Sequence, residues 1–164
     1  AHALMTTVHA YTNTQVLLDN QTTDPRRSRA AALNIVPSTT GVSETIEAVL
    51  PGMGAKFQGT SLRVPVAKVS IIDLVFNCSR PITQKLINEA FKNASTGSLY
   101  NILAYTDQEL VSTDYYNCPY SVVIDSKLTM AQGTMGKIFG WYDNEWGYCQ
   151  RLKDLFMRSV VPTA

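Results

Sequence analysis

The run Leu4-Met5-Thr6-Thr7-Val8-His9-Ala10-Tyr11 reads as a strand. Val8 and the adjoining threonines favour extended backbone, and Tyr11 closes it. The run carries His9, one of 2 histidines, with the hydroxyl of Thr12 three residues on. Histidine is the side chain that most readily exchanges protons near neutral pH, although a lone histidine is more often a satisfied structural group. Next comes Asn13 to Pro25, rich in Asn, Gln, Thr and Asp. That stretch is too polar for a core element and long for a connection, which marks a functional loop. No GxGxxG and no P-loop is present, so the sequence carries no nucleotide-binding fold of its own.

Further along, Arg26, Arg27 and Arg29 lead into the helix-favouring Ala30-Ala31-Ala32-Leu33. Pro37-Ser38-Thr39-Thr40-Gly41 opens a second helix, with Val42, Ile46, Val49 and Leu50 at i, i+4, i+7 and i+8. Pro51-Gly52 stops it. Phe57–Val66 and Lys68–Cys78 read as strands, the second with Ile72, Leu74 and Phe76 on one face and Asp73 on the other. Asp73 is a candidate carboxylate, but a structural hydrogen bond or an interface is the commoner role. Thr83 can cap a helix that buries Leu86, Ile87, Ala90, Phe91 and Ala94 and ends at Gly97. Short strands are expected around Ala104 and over Ser121–Asp125, Lys127–Ala131 and Lys137–Tyr142. Asp143-Asn144-Glu145 begins the last helix, with Tyr148, Leu152, Leu155 and Phe156 on one face, and the tail from Val160 to Ala164 is expected to fray. Strands and helices without regular βαβ alternation predict an α+β domain over residues 1–164: a mostly antiparallel, mixed sheet covered on one face by helices.

Composition narrows the partners. The 14 Lys and Arg against 13 Asp and Glu give a net charge of +1, too weak a field for nucleic acid or an anionic membrane. Any anion site must be local. No apolar run reaches the length of a membrane span. The 3 cysteines, Cys78, Cys118 and Cys149, lack CxxC spacing, so no disulfide framework and no metal site is expected. Reduced thiols in a cytoplasmic protein are the simplest reading.

Several residues could bind an anion near the histidine. Free amides at the start of the helix after Ser38-Thr39-Thr40-Gly41 favour negative charge, although Ser and Thr there are also ordinary N-caps. Arg26-Arg27-Ser28-Arg29 can clamp a phosphate through bidentate guanidinium contacts, or be a solvated charge run. Arg63, inside the apolar Leu62-Arg63-Val64-Pro65, must reach a partner or an anion. Asn144 either caps a helix or shows its amide to a ligand.

Taken together, Leu4 to Thr12, Arg26-Arg27-Ser28-Arg29-Ala30-Ala31, Asn34-Ile35-Val36-Pro37-Ser38-Thr39-Thr40-Gly41, Arg63-Val64-Pro65 and Trp141-Tyr142-Asp143-Asn144-Glu145-Trp146-Gly147-Tyr148 closely resemble glyceraldehyde-3-phosphate dehydrogenase. The likeness is to that family's C-terminal catalytic domain and runs from about Leu4 to Phe156. It implies an NAD-dependent oxidoreductase of glycolysis that converts an aldehyde and inorganic phosphate to an acyl phosphate, with NADP kept open because Asn20-Gln21 follows Asp19 where NAD-preferring members often have Leu-Pro. By motif position, His9 would be the thiol activator and general base. Thr12 and Arg63 would hold the substrate phosphate, and Thr40, Gly41 and Arg27 the attacking phosphate. Asn144 would bind the nicotinamide carboxamide, with Tyr148 beside the ring. The resemblance further implies a homotetramer in which this domain docks on its own nucleotide-binding domain.

The family's nucleophile lies in Ser-Cys-Thr-Thr-Asn, upstream of the histidine. No such segment occurs in this sequence, and none of the three cysteines matches its position. The chain is therefore expected to be a domain of a longer enzyme, inactive alone. The alternatives are erythrose-4-phosphate dehydrogenase or, if nothing precedes residue 1, a non-catalytic domain binding a phosphorylated ligand or a partner.

Overall fold

The computed structural model describes residues 2–160. Residues 161–164 of the tail expected to fray lie outside them. Eight strands form one mixed sheet: β1 Ala3–Ala10, β2 Val36–Ser38, β3 Phe57–Val64, β4 Ser70–Asn77, β5 Leu103–Thr106, β6 Val122–Asp125, β7 Met130–Gln132 and β8 Met135–Tyr142. Three helices accompany them: α1 Val42–Val49, α2 Gln84–Thr96 and α3 Trp146–Val160. The sheet order is β2-β3-β1-β4-β8-β6-β5, with β7 hairpinned onto β8. The β1–β3 and β5–β6 pairs are parallel and the others antiparallel. This is the expected α+β fold.

Side chains alternate across a strand, so residues opposite one another share a face. On one face Ile87 of α2 packs with Leu103, Ile124 and Ile138, flanked by Leu74 and Phe76. That core closes the β4-β8-β6-β5 end of the sheet. Helix α2 is capped as expected: the Thr83 hydroxyl accepts the Leu86 amide at 3.2 Å, and Gly97 ends it. Its buried stripe is narrower than expected. Leu86 is 52% exposed and Ala90 is exposed, because Ile87 alone reaches the core while Phe91 lies along its margin. On the opposite face Val69, Tyr115 and Val123 form a second cluster, with the Tyr115 and Trp141 rings stacked at 5.3 Å.

The strand expected over Lys127–Ala131 is instead a tight helical turn, Ser126–Leu128, where Asp125 accepts the Lys127 amide, followed by the short β7. Two further local expectations change. Ala30 to Leu33 forms turns rather than a helix, because the Ala30 amide bonds Asp19 and the Ala31 amide bonds the Val16 carbonyl. Those two bonds tie the segment back to the preceding polar loop. Val36 to Ser38 is a short strand, not the entrance to a helix. Proline is tolerated at Pro37 because β2 is an edge strand paired only with β3.

The start of α1 is pressed against the sheet beside β3. A Cβ at Gly59 would collide with the Val42 side chain and crowd that of Thr40. The bare glycine thus lets the Thr40-Gly41 segment lie close on the sheet.

Candidate active site

The sheet register assembles the site. Thr7 and His9 of β1 stand level with Ser61 and Arg63 of β3, and Thr7 faces Ile72 of β4. Ser70 of β4 is level with Tyr142 of β8. All these residues therefore project from the face that carries the α2 core. They lie beyond that core, towards α1. Met5, Thr7, His9, Thr39, Thr40, Ser61, Arg63, Ile72 and Tyr142 line a cleft of about 330 Å³ there. It is not the largest hollow. Larger ones lie at the β7–β8 hairpin and beside Glu47, but no histidine or arginine lines either.

His9 and Arg63 share one anchor. The His9 Nδ1–H donates to the Ala10 carbonyl at 2.6 Å, and Arg63 Nη1 donates to the same oxygen at 3.4 Å. Engaging Nδ1 as donor leaves Nε2 as the basic nitrogen. Burial lowers the His9 pKa from its usual 6.5, the Ala10 bond opposes this, and the Arg63 charge lowers it further. The imidazole is thus neutral at pH 7 and competent as a base. Half-buried Arg63 is pushed down by its own burial and then by the Arg27 charge. Among the described residues it has no carboxylate partner, so the wall of the cleft is uncompensated positive charge.

Arg27, just after the polar loop, does not line the cleft but reaches residues beside it. Its Nη2 donates to Ser38 Oγ at 2.6 Å, its Nη1 to Thr14 Oγ1 at 3.4 Å, and its Nε lies 3.5 Å from Asp24. Thr12 does not line the cleft. Its hydroxyl pairs with Thr14 at 2.9 Å, which connects it to the site through Arg27. Gly41 begins α1 with no side-chain cap, leaving the first-turn amides beside Thr40 available. Thus His9, Arg63 and Thr40 come together in one cleft, while Arg27, Gly41 and Thr12 surround it.

Asn144 and Tyr148 lie in an adjoining cleft of about 220 Å³, lined also by Ser121, Asp143, Gly147, Arg151 and Tyr142. Tyr142 belongs to both clefts and meets the His9 ring edge to face at 6.2 Å. Burial raises the Tyr142 pKa, while the Ser70 hydroxyl, the Arg63 charge and the Thr7 hydroxyl pull it down. Asp143, 1% exposed, organises the turn into α3. It accepts the amides of Trp146 at 2.9 Å, Glu145 at 3.2 Å and Asn117 at 2.9 Å, and Lys68 lies 3.4 Å away. Burial opposes its ionisation, but these amides and Lys68 hold its pKa below the usual carboxylate range.

The sequence reading missed Ser61, Ser70 and the bridging position of Tyr142. Ser61 is 3% exposed and its hydroxyl has no hydrogen-bond partner among the described residues, although it borders the cleft. One signal was available: Thr7-Val8-His9 and Ser61-Leu62-Arg63 repeat a polar-apolar-polar pattern that puts both polar pairs on one face. Among the described residues no group of three or more His, Cys, Asp or Glu could hold a metal ion.

The sequence also has close relatives. The family description "Glyceraldehyde 3-phosphate dehydrogenase, C-terminal domain" matches residues 1–144. Glyceraldehyde-3-phosphate dehydrogenase 2 of Bacillus subtilis is 49% identical over 153 residues, covering 93% of this chain and 45% of the relative. Its namesake from Streptomyces avermitilis is 51% identical over 93% of this chain and 46% of its own length. Glyceraldehyde-3-phosphate dehydrogenase GAPB, chloroplastic, of Arabidopsis thaliana is 49% identical over 92% of this chain and 34% of its own. The chain spans less than half the length of these relatives.

Proposed function

Because the chain belongs to the glyceraldehyde-3-phosphate dehydrogenase family, as its C-terminal domain, we propose that it is the catalytic domain of an NAD-dependent phosphorylating enzyme of glycolysis. The reaction takes an aldehyde phosphate and inorganic phosphate to an acyl phosphate. One observation carries this reading: a half-buried Arg63 with no carboxylate partner among the described residues shares a carbonyl with a His9 that burial keeps neutral. A neutral base beside a cation without a carboxylate partner suits oxidation of a phosphorylated aldehyde.

His9 takes the thiol proton through Nε2, returns it to the oxygen of the adduct that the thiolate forms with the aldehyde, and takes that hydroxyl proton back as the adduct is oxidised. The thiol nucleophile and the nucleotide-binding domain belong to the remainder of the full-length protein. Arg63 and Thr12 hold the substrate phosphate, with Thr12 moving inward from Thr14 to do so. Thr40, the amides after Gly41 and Arg27 hold the attacking phosphate, with Arg27 leaving Ser38 for the anion. A bound nicotinamide coenzyme supplies the hydride acceptor. The donor set suits it: with its Oδ1 engaged by Ser70, Asn144 has its NH2 to offer a carboxamide oxygen, and exposed Tyr148 offers a ring face.

The apolar face of α3 supports docking on the nucleotide-binding domain. Leu155 and Phe156 are 63% and 64% exposed there, an arrangement a helix keeps only when something covers it. The exposed Leu17 and Leu18 of the polar loop support assembly as a homotetramer. No helix among the described residues is long and apolar enough to cross a membrane, and a cytoplasmic location is part of this proposal. Steady-state kinetics of the full-length protein tests it, with glyceraldehyde 3-phosphate and erythrose 4-phosphate, each with and without phosphate. Phosphate-dependent turnover favouring the three-carbon aldehyde is expected. A preference for the four-carbon aldehyde with no phosphate effect would overturn it.

A further inference from the structure

Ser70 lies level with Tyr142, the residue common to the two clefts, and is 2% exposed. Its hydroxyl accepts the Ala10 amide at 3.2 Å and donates to Asn144 Oδ1 at 3.4 Å. One buried oxygen therefore links the strand that holds His9 to the side chain that faces the neighbouring cleft. Buried Val69 turns the chain into β4 with φ +70°. A β-branched residue rarely adopts that conformation, and such strain persists only where the surroundings enforce it. Here the packing of Val69 with Tyr115 and Val123 enforces it. The next residue is Ser70, so the same packing fixes where the hydroxyl lies.

We propose that Ser70 is a positioning residue for coenzyme binding: it sets the Asn144 amide so that the oxygen is engaged inside the protein and the NH2 points to the ligand. The inference rests on Asn144 contacting the coenzyme, as proposed above. A hydroxyl has a single proton. With that proton given to Asn144 Oδ1, Ser70 accepts from the Ala10 amide and, with its second lone pair, from the neighbouring Tyr142 hydroxyl, and the amide is held in one of its two flipped orientations. An alanine at position 70 leaves the Ala10 amide and the Asn144 oxygen without this partner, and the amide is then free to turn either face to the cleft.

The test uses the full-length protein and measures the coenzyme dissociation constant by titration calorimetry without aldehyde. The variants are Ser70→Ala, Asn144→Ala and the double variant, with melting temperature and inorganic phosphate affinity measured alongside. Ser70→Ala is expected to weaken coenzyme binding about threefold to tenfold, the size of one ordinary hydrogen bond, with phosphate affinity unmoved. Asn144→Ala is expected to weaken it at least as much, and the double variant to match Asn144→Ala alone. Wild-type coenzyme affinity in Ser70→Ala, additive losses in the double variant, or an equal loss of phosphate affinity would each overturn the inference while leaving the role of Asn144 standing. Wild-type affinity in Asn144→Ala would instead remove the coenzyme reading of that residue, and the inference with it.

Discussion

One face of one sheet does two different things. At the β4-β8-β6-β5 end, Leu74, Ile138, Ile124 and Leu103 lie under α2 and make a dry core. At the β2-β3-β1 end the same face shows Ser38, Ser61, Arg63, Thr7 and His9. The backbone is equally regular in both. What differs is the cover: α2 closes the first end, whereas α1 has no buried residue and only its first turn comes close to β3. At this end Thr7, Ser38 and Ser61 are buried and hold the register, while half-buried His9 and Arg63 stay open to the cleft. Precise placement and ligand access thus come from one arrangement.

The largest expected effect is at the open end. In the full-length enzyme His9→Asn should lower turnover by about 10²–10⁴, the usual range for a general acid–base group, with a circular dichroism melt close to wild type. Unchanged turnover, or unfolding that accounts for the loss, would break the contrast. The closed end should respond in the opposite way. Ile124→Ala, at a side chain 1% exposed, should cost about 2–5 kcal/mol in denaturant unfolding and leave the phosphate affinity of the folded fraction intact. Arg63→Ala should weaken phosphate binding by about tenfold or more, as expected for lost charge-assisted hydrogen bonds. Its stability should hold or rise slightly, because a half-buried cation repelled by Arg27 is removed. Equal phosphate affinity in the two proteins would show that the anion lies elsewhere.

A smaller effect is expected in stability against pH. The His9 pKa is lower folded than its unfolded value of 6.5, so the unfolded chain takes up the proton first. Stability is then full above 6.5 and declines as pH falls from there to the folded pKa. Urea midpoints should show that decline in the wild-type chain and lose it in His9→Asn.

Much of the open end was legible in the sequence. His9, Arg63 and Thr40 were marked by an imidazole in a strand, a cation in an apolar strand and hydroxyls before a helix, and the structure puts them in one cleft. The long strands were legible because period-two alternation is a local property. The register was not, since it depends on which strands pair, and with it went Ser61 and Ser70. Pro37 hid β2, because proline followed by Ser-Thr-Thr-Gly is also how a helix begins. The rotation of α2 was misjudged for a related reason. Leu86, Ile87, Ala90 and Phe91 are all compatible with a helical stripe, and only the sheet beneath decides that Ile87 points inward.

The most direct test of the open end as an anion site beside a neutral base is an NMR titration of the His9 imidazole. It would be run on the 164-residue chain with and without inorganic phosphate, the His9 signal being assigned by its loss in His9→Asn. Without phosphate, His9 should titrate below 6.5. Saturating phosphate should move that value upward as the anion offsets the Arg63 charge, and Arg63→Ala should abolish the phosphate response. A His9 that titrates at or above 6.5 and ignores phosphate would contradict the account.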